Sequence, residues 1–128
     1  VLVEPGEGVR VAGIIDFGDI VVGPLVFEPA IAAADLWIGK DEPLAAVTAV
    51  IGAYNSVLPL TDDDISVLYD LLLARHAISV VICARRAKHG AEEPSYLESY
   101  DEPCMVSLDQ ILTMGRAKVT AAIETCCR

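Results

Sequence analysis

The chain has 128 residues, enough for one domain and too few for two of ordinary size. Apolar residues make up 54% and charged residues 22%, which permits a buried core and excludes wholesale disorder. Nine Lys and Arg face 19 Asp and Glu, a formal charge of −10. So acidic a chain lacks the footprint of a nucleic-acid binder and is repelled by an anionic membrane surface.

The first residues, VLVEPGEG, carry neither the basic region nor the apolar run of a secretory signal. The chain opens without Met on a strand-like Val1-Leu2-Val3, as though cut from something longer. Val1–Val3 and Val9–Ile15 are β-branched runs separated by Glu4-Pro5-Gly6-Glu7-Gly8. Pro followed by Gly suits the centre of a type II turn, so residues 1–16 predict a β-hairpin. On its second strand Val9, Val11, Gly13 and Ile15 share one face, and Asp16 emerges where the strand ends.

Residues 17–128 read as helical, and the whole as an α+β, mostly α single domain: a hairpin followed by about four helices. Pro24 and Pro29 bracket the start of the first, which runs through Ala30 to Ile38 and stops at Gly39. The second takes Asp41 as N-cap and ends near Ser56. Residues 43–61 carry no charge, but Gly52, Asn55, Ser56 and Pro59 break the run, so a buried helix is expected rather than a membrane span. Thr61 caps the third, with Asp62, Asp63 and Asp64 on the positive end of its dipole. Ile65, Leu68, Leu72, Ser79 and Cys83 trace one of its faces, and the all-apolar stretch 77–84 predicts deep burial. Arg85, Arg86, Lys88 and His89 fill its last turn and Gly90 closes it. Residues 91–103 read as an acidic connector, and Ser107-Leu108-Asp109-Gln110 as the capping box of a last helix.

The four cysteines form no C-x-x-C pair, and with two histidines no zinc pattern emerges. Reduced core thiols in a cytoplasmic protein are the expectation. His76 and Trp37 read as core packing, and Arg85, Arg86 and Lys88 as complements of the helix dipole. Glu92, Glu93, Glu98, Asp101 and Glu102 suit a solvated loop or an acidic cleft for a cationic substrate, with Tyr96 and Tyr100 lining or pinning it.

The segment richest in chemistry is Val11-Ala12-Gly13-Ile14-Ile15-Asp16-Phe17-Gly18-Asp19. A buried strand that delivers a carboxylate at its end, with Gly18 turning the chain beside it, suits a ligand of Mg²⁺, which takes one or two carboxylates plus phosphates. The plain alternative is that Asp16 only caps the following turn.

The run GIIDFGD followed by GPLVFEPAIAAADL resembles the aminoglycoside phosphotransferase and choline kinase family, and within it the hydroxylysine-kinase-like branch. The resemblance implies a two-lobed, protein-kinase-like fold and transfer of a phosphoryl group from ATP or GTP to a hydroxyl of an amine-bearing metabolite. It makes Asp16 the ligand of the Mg²⁺ held against the nucleotide phosphates. It gives Glu28 a bracing role, and Asp19 a contact with a second metal or a place in an exposed turn. The family's HGDxxxxN catalytic loop, with its general base, and its N-terminal lobe have no counterpart here, so no catalytic residue is assigned and the 128 residues alone are expected to be inactive. The competing reading is a non-catalytic, kinase-like helical binding module. A protein kinase remnant is disfavoured because no A-P-E follows the D-F-G.

Overall fold

A computed structural model describes residues 2–6, 10–89 and 94–128, with side chains left out at 19, 87, 89 and 94–102. Within it the chain is mostly helical, with one small antiparallel sheet. β1 (Leu2–Val3) pairs with β2 (Val11–Gly13), with Leu2 opposite Gly13 and Val3 opposite Val11. The Glu4 N–H donates to the Arg10 carbonyl at 3.0 Å and continues the ladder.

The second strand is shorter than expected: Ile14 and Ile15 lie beyond it, and Val9 falls outside the described residues. Nor is it buried. Val11 is 58% exposed, because the sheet has two strands and packs firmly on no helix.

Among the described residues five helices follow. α1 (Phe27–Trp37) starts where Pro24 and Leu25 carbonyls accept the Phe27 and Glu28 N–H groups. Pro29 sits in its first turn, where no intrahelical partner for an N–H exists. Gly39 takes φ 69° just past its end, a conformation that favours glycine. α2 (Pro43–Val57) has Pro at its first position, and Glu42 rather than Asp41 stands at the N-cap, without a side-chain bond. α3 (Asp62–His89) begins at a reciprocal cap. Asp64 N–H donates to Thr61 Oγ1 at 3.1 Å, and Thr61 N–H donates to Asp64 Oδ2 at 3.0 Å. The Thr61 hydroxyl and backbone bonds hold the Asp64 carboxyl below the usual carboxylate range. Gly90 lies outside the described residues.

The remainder departs from expectation. α4 (Pro94–Met114) begins well before Ser107, so most of the anticipated connector is helix. Pro94 stands at the first position, where proline is favoured, and Pro103 is accommodated inside. Ser107 caps nothing: buried mid-helix, its hydroxyl donates to the Pro103 carbonyl at 2.7 Å. Gly115, with φ 77°, separates α4 from α5 (Arg116–Cys126), dividing the anticipated last helix in two.

One core joins the helices. α1 contributes Ala30, Ala33, Ala34 and Trp37 at helical spacing, and the small alanines admit close packing against α2 and α3. Val47 and Ile51 enter from α2, Leu68, Tyr69 and Leu72 from α3, Ile111 from α4, and Val119 and Ile123 from α5. Trp37 is fully buried, and its indole Nε1–H donates to Gln110 Oε1 at 2.9 Å. A Cβ on Gly52 would stand 3.2 Å from the Cys126 carbonyl, which shows how closely α2 and α5 approach.

The stretch 77–84 is not deeply buried. Cys83 faces inward, whereas Ile78, Val81 and Ile82 are exposed, because α3 packs through one face while its sequence is apolar all round. Among the described residues one helix, Asp62–Arg86, is long and apolar enough by length and composition to cross a membrane. It is α3, packed here against α1, α4 and α5.

Candidate functional site

β2 delivers the chain to Ile14 and Ile15, and the backbone then turns at Asp16 itself. Asp16 has φ 70° and ψ 53°, the one described non-glycine residue in the left-handed region. Such a conformation costs an ordinary residue roughly 1–2 kcal/mol, and Asp tolerates it better than most. Gly18, expected to make the turn, does not take a positive φ. Residues Phe17–Asp19 close a single 3-10 turn, in which the Ile20 N–H donates to the Phe17 carbonyl at 3.4 Å.

Asp16 occupies the N-cap position of that turn, yet its side chain makes no cap hydrogen bond. The simple capping role is therefore not what the carboxylate does. Asp16 is exposed, and among the described residues no ion pair engages it. The Asp19 side chain lies outside the described residues. Glu28 is exposed in the first turn of α1, favourably placed on the helix dipole, and no hydrogen bond or ion pair joins it to Asp16.

Around this segment the surface is apolar. Phe17, Ile20, Val21, Val22 and Leu25 are all exposed, Val22 completely. Among the described residues no three His, Cys, Asp or Glu side chains group as a metal cage. A lone free carboxylate fits Mg²⁺ in the manner of a cation that a nucleotide brings with it, and not as an all-protein site.

The other candidates sort by contact. Arg75 on α3 donates to Asp35 on α1, with Nη2 3.1 Å from Oδ1. Arg116 pairs with Asp70 through Nη1–Oδ2 at 2.8 Å and lies 4.6 Å above the Tyr69 ring. That pairing holds the Asp70 carboxyl below its ordinary range. Both bridges are exposed and tie helices together.

His76 is 1% exposed and meets the Trp37 ring edge-on at 5.8 Å between centroids. It belongs to the core as expected, but its Nε2 has no hydrogen-bond partner. Burial pushes its pKa below the ordinary value. The Asp35 carboxylate opposes that shift and Arg75 adds to it. Arg85 and Lys88 are exposed at the end of α3. Glu92 and Glu93 lie outside the described residues, as do the side chains of Tyr96, Glu98, Tyr100, Asp101 and Glu102. Cys126 and Cys127 are free thiols.

What sequence reasoning missed is the backbone at Asp16. The D-F-G string drew attention to the residue, but no residue pattern announces a left-handed aspartate.

Comparison with known proteins agrees with the GIIDFGD segment. The model of a phosphotransferase enzyme family matches residues 1–62. The hydroxylysine kinase of Mus musculus is 33% identical over 115 residues, covering 89% of this chain and 31% of that protein. The Xenopus laevis enzyme is 31% identical over 113 residues, covering 88% of this chain and 30% of that protein, and the Bos taurus enzyme 32% over 110, covering 86% and 29%. The chain thus spans about a third of the length of these relatives. No solved structure matches. The family match at the Asp16 segment and the hydroxylysine kinase relatives along most of the chain support a likeness to the aminoglycoside phosphotransferase and choline kinase-like family.

Proposed function

We propose that these residues form the metal-binding part of a small-molecule kinase, which transfers a phosphoryl group from ATP or GTP to a hydroxyl of an amine-bearing metabolite of the hydroxylysine type. The observation that carries this reading is Asp16: a carboxylate in a strained backbone conformation, exposed, and claimed by neither the turn it begins nor any described cation. Strain of this kind persists where it presents a side chain for use.

Asp16 holds the ion, and Mg²⁺ bound there supplies positive charge against the nucleotide phosphates. Asp19, at the end of the same turn, is the candidate for a second ion. Glu28, on the first turn of α1, steadies the neighbouring backbone and takes no chemical step. No residue of these 128 is assigned as the base that accepts the hydroxyl proton, so the segment alone does not turn over. It works in a reducing, cytoplasmic setting where free thiols persist, with nucleotide and metabolite as partners and neither nucleic acid nor membrane.

The test is Asp16→Ala in the complete enzyme. Removing the ligand should lower kcat by at least about a hundredfold, the scale of losing one charge-stabilising group at a transition state. The far-ultraviolet circular dichroism should stay unchanged. A variant with undiminished kcat would take Asp16 out of the mechanism. For the 128 residues alone, nucleotide-dependent phosphorylation of an amino alcohol would refute their inactivity.

A further inference from the structure

At the other end of the chain, Cys126 closes α5 and Cys127 stands at its C-cap with φ −95° and ψ −4°. Both thiols are half-buried, on consecutive residues where the helix ends. The Cys126 thiol also donates to the Ile123 carbonyl at 3.1 Å. The backbone beneath them is fixed from outside the helix: Asn55 Nδ2–H donates to the Cys127 carbonyl at 3.0 Å, while Asn55 Oδ1 accepts the Leu60 N–H at 2.8 Å. Beside Cys127 opens a cavity of about 350 Å³, lined by Asp62, Ile65, Ser66, Glu124 and Arg128 as well as by Cys127 itself.

We propose that Cys126 and Cys127 form a dithiol site for trivalent arsenic compounds. Two adjacent sulfurs on a fixed backbone can close a ring on one thiophilic atom. Zinc asks for four ligands, and among the described residues no third His, Cys, Asp or Glu joins this pair. Trivalent arsenic needs only three bonds, and its own hydroxyl or organic substituent supplies the third. Cys127 also stays protonated at neutral pH, since burial, with the charge and hydrogen bond of Cys126, pushes its thiol up to about 11. Low thiolate content disfavours metals that demand thiolate ligands. Condensation with arsenic suits neutral thiols. Two S–H and two As–OH bonds break, two As–S bonds form, and two waters leave with the protons. No electrons are transferred. The cavity leaves room for an organic group on the arsenic, with Ile65 on its wall.

Phenylarsine oxide is the probe. Each chain should gain one reagent molecule less one water by intact mass, and lose two thiols to a disulfide titrant. Trypsin should place the adduct on residues 119–128. Cys126→Ser and Cys127→Ser should each weaken capture at least tenfold, whereas Cys83→Ser and Cys104→Ser should leave it unchanged. An adduct on residues 76–85 or on the peptide containing Cys104, or capture that survives loss of either member of the pair, would overturn the proposal, as would absence of an adduct on the folded wild-type chain. The peptide assignment needs no variant, so a serine variant that fails to fold does not shield the idea.

Discussion

Between Val26 and Cys127 apolar side chains recur at helical spacing and close over one another. Between Leu2 and Leu25 they are just as frequent, yet none of the described residues there is buried. The difference lies in partners, not in composition. Five helices supply each other with faces; a two-stranded sheet and an irregular run supply none. Apolar residues make a core only where a second layer meets them. The segment without its own core is also the one that carries Asp16, and an exposed apolar surface of that kind marks a place where contact is made.

Truncating the centre of the bundle is the strongest challenge to this contrast. Trp37→Ala removes the largest buried side chain and strands Gln110, and should cost about 3–5 kcal/mol. The urea midpoint measures it, and a small change would show that the bundle has no single centre.

Acid should act on the same core. His76 titrates below its unfolded value of 6.5, so the unfolded chain binds the proton more readily. The stability held above pH 6.5 is therefore lost progressively as pH falls below it. Urea midpoints at pH 7.5 and 5.5 should differ in that direction, and His76→Phe should flatten the difference. An unchanged slope would exclude His76 as its source.

At the edge of the bundle, Thr61→Ala removes the hydroxyl that accepts the Asp64 N–H. It should cost about 1 kcal/mol. The smallest effect belongs to the other region. Val21→Ser and Val22→Ser should each shift stability by no more than about 0.5 kcal/mol, while raising solubility. A loss as large as that of Trp37→Ala would erase the distinction between the regions.

The readable parts of the fold are those where a local signal and a packing need coincide. Thr61 with the three aspartates, Pro43, and Gly39 each satisfy or avoid an orphaned backbone group, and each stands at a helix boundary. Where the two diverge, local reading fails. Residues 94–103 look like a loop by charge and proline content, but Pro94 is at the one helical position that suits it, and α4 packs along α3. Ser107-Leu108-Asp109-Gln110 has the spacing of a cap, but a buried serine can bond backward to the preceding turn instead. An apolar stretch such as 77–84 states what could be buried without saying how many neighbours there are. The candidate site was legible as a residue and illegible as a shape: Asp16 followed from its string, and its left-handed backbone did not.

The break at Gly115 bears on how the molecule is made. Val119 and Ile123 complete a core begun by Trp37 and Ile51, and the Cys127 carbonyl fastens Asn55 some seventy positions earlier. Within this segment α1, α2 and α3 cannot complete that core until α5 docks on them. Versions of the segment truncated before Arg116 should remain sensitive to protease throughout, and protection should arrive in one step once α5 is included.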